Sequence, residues 1–432
     1  MAKKKILIPG GKFSDWALVN AAHRLGMYVI TSGSHRDAPA HQFSDEYVYA
    51  DYSDMEAMLQ LAKEIEIDYM CSCANDFGMM STAYVCEKLG LPGHDSFETT
   101  WILHHKDTIK PIMQRLGIHT PYSEIFSDRD AAVEFIRNSE KKVIVKPADN
   151  VASIGVSSPE DAAQIDSSVD FAFESSRTKK IIVEPFITGF FAPFTSMIIN
   201  KKVVAFFASA GTRFLEGERI APDYPSYGKN NGSMVPCPYM EEFAPGIIDD
   251  IEKIARELDL VDGKFHGELM ITPEHEAYIF DVHRRMSGFT EPWPEWNLST
   301  GINWEDWIVK AECGMDLSDF PVGIKQTRYF HHRNIYAPKN GVIKRVIFDE
   351  YLTSHIYPKH EEKHFFLYDL VITDHRHQPI IASFTDESET RARGNILRFE
   401  FDSEKECEFI SNPANSDEFY KHITFEYEEI KN

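Results

Sequence analysis

Lys264-Phe265-His266-Gly267-Glu268-Leu269-Met270-Ile271-Thr272 and Ala277-Tyr278-Ile279-Phe280-Asp281-Val282-His283-Arg284-Arg285 decide how this chain is read. The two stretches predict an antiparallel hairpin. A turn centred on Glu274 and His275 sets Thr272 opposite Ala277, Met270 opposite Ile279, Glu268 opposite Asp281 and His266 opposite His283. That register puts two carboxylates face to face. Directly opposed like charges cost a sheet a few tenths to about 1 kcal/mol, so the pair asks for a compensating cation. A hard divalent ion with oxygen ligands is one answer; plain exposed carboxylates neutralised by Arg284 and Arg285 are the other. Period-two alternation lines Asp281, His283 and Arg285 along one face, the wall of a site for phosphate-bearing substrates.

The whole chain bounds the answer. Its 432 residues suggest about three domains, and 43% hydrophobic with 26% charged residues is a globular composition. The excess of 68 acidic over 45 basic residues, a net charge of -23, leaves no basic footprint for nucleic acid. Ile6-Leu7-Ile8 ahead of Pro9-Gly10 falls short of a signal peptide's apolar segment, and no apolar run approaches the roughly 18 residues of a membrane helix. A soluble, cytoplasmic protein is expected. Six cysteines are too sparse for a disulfide framework, and Cys71-Ser72-Cys73 reads as small core residues.

The first hundred residues alternate strand and helix: strands at Lys5 to Pro9, Tyr28 to Thr31 and Asp68 to Ser72, helices at Asp15 to Leu25, Asp54 to Ile65 and Gly78 to Leu89. That order predicts βαβ units on a mostly parallel sheet, with Gly10-Gly11 and Asn75-Asp76 at the ligand-gathering carboxyl ends of strands. Gly10-Gly11 lacks the spacing of a dinucleotide fingerprint. One helix is expected from Thr99 to Gly117, then strands at Tyr122 to Phe126, Lys142 to Lys146 and Lys180 to Glu184 with a helix at Asp128 to Arg137. A hairpin turns around Asn200-Lys201-Lys202. Gly211 to Pro238 reads as a long functional loop. After Ile324 the sequence becomes β-rich and turn-punctuated, with strands at Val342 to Phe348, Phe365 to Thr373 and Ile380 to Phe384.

Two lysines precede the hairpin in telling places. Lys106 opens a helix, and Lys146 ends the apolar strand Val143-Ile144-Val145-Lys146, where an ammonium is costly unless it meets an anion. Asp149 to Val156 follows as a small-residue loop whose backbone N–H groups would cradle phosphate oxygens. Ile182-Val183-Glu184-Pro185-Phe186-Ile187-Thr188-Gly189 comes next.

In this order the motifs resemble those of the ATP-grasp carboxylate–amine ligases, the superfamily of biotin carboxylase, carbamoyl phosphate synthase and amino-acid ligases, over roughly residues 1 to 320. The resemblance implies an α/β and α+β multidomain fold: a parallel-sheet pre-ATP-grasp domain at 1–98, an ATP-grasp domain at 99–324 whose residues 120–190 form a small nucleotide-covering subdomain, and a β-rich domain at 325–432. It further implies that Lys106 and Lys146 contact the nucleotide, that Ser153, Gly155 and Val156 cover the triphosphate, and that Glu184, Pro185, Phe186 and Ile187 form the hinge strand at adenine. Met270 and Phe280 would pack near the base, and Glu268 and Asp281 would hold one or two magnesium ions, manganese being an alternative. Relatives commonly carry Glu-x-Asn-x-Arg where this chain has Asp281-Val282-His283-Arg284-Arg285, so Arg285 carries over while His283 replaces the asparagine, as a metal ligand or a phosphate donor. Phe191 stands where many relatives place an acidic ribose ligand.

The activity so implied is phosphorylation of a substrate carboxylate by ATP to an acyl phosphate, then attack by an amine with release of ADP and phosphate, with Arg285 and His283 as the catalytic pair. Small-molecule carboxylate and amine are the expected partners, a homo-oligomer is compatible, and Arg213, Asn75 and Asp76 are candidate substrate contacts. Two other readings stay open: a bicarbonate-activating enzyme like carbamoyl phosphate synthase or a carboxylase, and an ATP-binding protein without turnover.

Overall fold

The structure is a computed structural model. It describes residues 2–151, 154–213, 230–286, 292–336, 341–350, 380–382, 393–401 and 421–427. Contacts gather the chain into two compact units, one of Met1–Phe206, Glu241–Gly288 and Glu305–Gly323, the other of Phe207–Met240, Phe289–Trp304 and Ile324–Asn432. The three-part division at 98/99 and 324/325 stands beside this as a proposal.

The first unit opens with strands Lys5–Pro9, Tyr28–Gly33, Glu46–Tyr49 and Tyr69–Met70, all parallel, with the first strand central. Leu7, Ile30, Met58 and Val85 close the core between this sheet and its helices. Helices start where polar side chains satisfy free backbone donors: Asp54 accepts from Ala57 N, and Asn75 from Phe77 N and Gly78 N. Asn75, expected at the ligand mouth, is therefore a helix cap. Glu46–Tyr49 was not expected, because a four-residue strand with half-exposed side chains shows little apolar periodicity.

The single helix expected from Thr99 to Gly117 is two, Phe97–His104 and Lys106–Arg115. His105 between them is extended, and the next amide, Lys106 N, leaves the helical pattern to donate to Ala148 O at 2.8 Å. Residues 120–190 form a small antiparallel sheet in the order Glu124–Phe126, Ile181–Pro185, Val143–Pro147. Helices Arg129–Arg137 and Ile165–Ser175 cover it, with Val133, Ile136, Val145, Val169 and Val183 buried between the layers.

The hairpin strands Gly263–Ile271 and Ala277–His283 lie beside Phe190–Ile199 in one antiparallel sheet. Phe190–Ile199 turns into Lys202–Ala208 through Asn200 and Lys201, both at positive φ. In the second unit, Ala210–Arg213 pairs with Asn230–Val235, which pairs with Tyr329–Tyr336 and that with Arg393–Phe401. The ends of the supposed loop Gly211 to Pro238 are thus paired strands, and only its middle lies outside the described residues. A second sheet joins Gly341–Phe348 to Ile380–Ala382 and Ile423–Tyr427. The strand expected at Phe365 to Thr373 lies outside the described residues. No described helix is long and apolar enough to cross a membrane.

Candidate active site

The hairpin pairs His266 with His283 and Glu268 with Asp281, as the alternation predicts. Beyond that point the register shifts: Leu269 meets Ile279, Met270 meets Tyr278 and Ile271 meets Ala277. The expected pairings Met270–Ile279 and Thr272–Ala277 are corrected by one residue, because a β-bulge sets Phe280 and Asp281 together against Glu268. The freed Ile279 amide donates to His119 O at 2.8 Å. Gly267 is demanded by close approach, since a Cβ there would stand 2.5 Å from the Phe194 ring.

Around the acidic pair the charges do not balance. Lys106 Nζ lies 3.0 Å from Asp281 Oδ2. Burial opposes ionisation of Asp281, yet Lys106 and His283 outweigh it and hold the carboxyl well below its usual range. Glu268 has no hydrogen bond or ion pair among the described residues; burial first, then Asp281, push its carboxyl upward. One ammonium serves two carboxylates. No group of three or more His, Cys, Asp or Glu is gathered for a metal among the described residues. Magnesium needs only one or two carboxylates when phosphates and waters complete its octahedron, so an unpartnered glutamate facing a charged aspartate fits that ion.

Asp76, the first residue of helix Asp76–Leu89, ties the far wall together. Its carboxylate is gripped by Arg285 through Nε at 2.9 Å and Nη2 at 3.1 Å, and His283 Nδ1 lies 2.9 Å away. Burial would raise its pKa, but Arg285 and His283 drive it far below the ordinary value. His283 Nε2 sits 3.6 Å from Asp281 Oδ2, so the imidazole spans two carboxylates. The third guanidinium nitrogen of Arg285, Nη1, donates to Met286 O. Asp76 thus orients Arg285 and His283.

A second cluster surrounds Glu184. Lys110 Nζ is 2.8 Å from Oε1, Lys146 Nζ 2.7 Å from Oε2, and Ser123 Oγ donates to Oε1. Glu184 and Lys110 are each 1% exposed. Burial is overcome by the two ammonium groups, which bring the Glu184 carboxyl down to about 2. Lys110 and Ser123 were missed from sequence. Lys110 stands one helical turn after Lys106, an i, i+4 spacing that puts both on one face and was the available signal. Lys146 also lies 5.1 Å from the Phe280 ring centroid, and Phe280 is 6.0 Å from Phe191. Phe191 pairs with Met270 across the sheet.

Pro185 ends the strand Ile181–Pro185, and Phe186 continues from it as an exposed ring beneath Lys142. In the loop after Lys146, Gly155 adopts φ +81°, and a Cβ there would meet Ser175 Cβ at 2.5 Å. Val156 follows it, partly buried. Ser153 and the side chain of Arg213 lie outside what the structure describes.

Two lysines, a buried glutamate, a glycine-bearing loop and an acidic hairpin follow one another in this chain order on this scaffold. Residues 104–287 match the family described as phosphoribosylglycinamide synthetase, ATP-grasp (A) domain. That match covers the segment from Lys106 through the acidic hairpin. No curated protein matches it in sequence. Among solved structures, an L-amino acid ligase from Bacillus licheniformis aligns over 99% of this chain and 100% of its own at 17% identity, TM-score 0.72. Phosphoribosylglycinamide synthetase from Anaerococcus prevotii covers 99% and 100% at 18% identity, TM-score 0.69. The biotin carboxylase domain of Hydrogenobacter thermophilus 2-oxoglutarate carboxylase, solved with MgADP, ADP and bicarbonate, covers 81% and 80% at 15% identity, TM-score 0.65. At these identities the likeness is one of fold.

Proposed function

We propose that the protein is an ATP- and magnesium-dependent ligase that joins a small carboxylate to an amine. The observation that carries the reading is the opposed pair Glu268 and Asp281, with Lys106 as the pair's ammonium partner. Magnesium held by these two carboxylates would neutralise phosphate charge and align the transferring group. Lys106 and Lys146 would spread the charge of the γ-phosphoryl group during in-line transfer, while Gly155, Val156 and Ser153 cover it from water. Glu184, Pro185, Phe186 and Ile187 would line the adenine side, with Met270 and Phe280 against the base.

The substrate carboxylate takes the phosphoryl group, forming an O–P bond and releasing ADP. An amine nitrogen then attacks the acyl carbon of the acyl phosphate, phosphate leaves, and the nitrogen loses a proton. Arg285, fixed by Asp76, would stabilise the oxyanion at that carbon, and His283 would bind the phosphate rim. Support comes from the L-amino acid ligase and phosphoribosylglycinamide synthetase among the structural neighbours.

A screen of carboxylates against amines for magnesium-dependent ADP and phosphate release tests this reading. Turnover should require both substrates and should vanish in Glu268→Ala and Arg285→Ala with the far-UV spectrum retained. Release from a carboxylate alone at the full rate would overturn it. The bicarbonate bound in one neighbour favours a second reading, bicarbonate activation, for which bicarbonate-stimulated ATP hydrolysis is the test.

A further inference from the structure

A cavity of about 140 Å³ lies beside this site, within the first unit, and none of the roles proposed above uses it. Its floor is apolar and aromatic: Phe77, Met80 and Trp101. His104, His105 and Arg177 supply the polar wall. Each wall adjoins a site residue in the chain. Phe77 follows Asp76, His105 precedes Lys106, and Asp149, also on the wall, lies three residues after Lys146.

Its polar groups are arranged for something not made by the protein. The Arg177 guanidinium stacks 3.9 Å from the Phe77 ring centroid and forms no ion pair among the described residues. The nearby Asp149 carboxylate is already engaged by Ser176 Oγ at 2.9 Å, Arg177 N at 3.1 Å and Thr178 N at 2.5 Å. His104 is 4% exposed, and its Nδ1 is buried without a hydrogen-bond partner among the described residues. His105 is held in place by its stack on Trp101, 3.7 Å between centroids, and by a contact of Nδ1 with Trp101 O at 2.9 Å. A fixed aromatic wall, a stacked guanidinium and an orphaned imidazole nitrogen suit an amphiphilic anion. A cavity near 150 Å³ takes a benzene-sized body. A cationic ligand would meet Arg177.

We infer that this cavity receives the body of one substrate, a small carboxylate carrying an aromatic ring or branched aliphatic chain, with its carboxylate on Arg177 and a polar group on His104. The substrate role rests on the ligase reading; the binding itself does not. Anchored there, the ligand stands next to Lys106 and Asp76, so the cavity selects which molecule reaches the phosphoryl centre.

Calorimetric titration of the full chain with phenylacetate, without nucleotide, tests the inference. Phenylacetate should bind, phenethylamine should not, and Arg177→Gln should weaken phenylacetate about tenfold or more, the value of one charged hydrogen-bonded contact. Met80→Trp, which fills the cavity, should abolish phenylacetate binding while magnesium–ATP binding persists. Equal binding of the amine, or indifference to both substitutions, overturns the inference. So does absence of phenylacetate binding in a protein that still binds magnesium–ATP. If phenylacetate binds with the expected pattern but no carboxylate and amine pair yields ADP, the cavity stands and the ligase reading falls.

Discussion

Two buried acidic clusters within one compact unit are built on opposite principles. Around Glu184 a single carboxylate is held by two ammonium groups and a hydroxyl. Around Glu268 and Asp281 two carboxylates have one ammonium. The first cluster carries one more ammonium than carboxylate, a surplus of about one positive charge that would meet an incoming anion. The second is short of positive charge by about one unit, a deficit that a divalent ion bridged to phosphate would fill. The same unit thus presents one cation-rich and one anion-rich seat, the pairing that the proposed magnesium–nucleotide requires.

Removing Glu184 should break the comparison most severely. Glu184→Leu strands Lys110 and Lys146 without a counter-charge and should cost about 3–5 kcal/mol, read from urea denaturation. Asp281→Asn should leave the fold largely intact but lower turnover on the order of 100–1,000-fold, the loss typical of one electrostatic group acting on the transition state. Titration should then separate the clusters by sign. Glu184, drawn down to about 2 from an ordinary 4.5, contributes stability that is present above pH 4.5 and is lost as pH falls toward about 2. Glu268, whose carboxyl is raised, contributes stability present below 4.5 and lost as pH rises through its elevated value. Denaturation midpoints between about pH 3 and 7 should therefore lose their acid-side slope in Glu184→Gln and their opposing slope in Glu268→Gln. The smallest effect is the gain in Glu268→Gln at neutral pH without magnesium, a few tenths to about 1 kcal/mol from relief of like-charge opposition. The same variant should lose the magnesium dependence of ATP binding.

The anion-rich seat is legible in the sequence because a strand pair obeys a simple count: alternation alone sets Glu268 opposite Asp281 and His266 opposite His283. The count failed two residues further along, where the extra Phe280 is accommodated by a bulge that no residue type announces. The cation-rich seat was only half legible. Lys146 and Glu184 stood out at strand ends, whereas Lys110 is one lysine in an amphipathic helix and is distinguished only by what it packs against. Asp76 was placed at the sheet's ligand end, but its grip on Arg285 joins residues 209 positions apart, which local pattern does not encode.

The break at His105 has a mechanical consequence. It lets Lys106 begin a fresh helix that carries Lys110 one turn further on, about 6 Å away along the axis. One reaches the acidic hairpin and the other Glu184. A rigid spindle of this kind cannot tilt at one end alone, so any shift that draws Lys106 toward a phosphate must also tug on the grip that fixes Glu184.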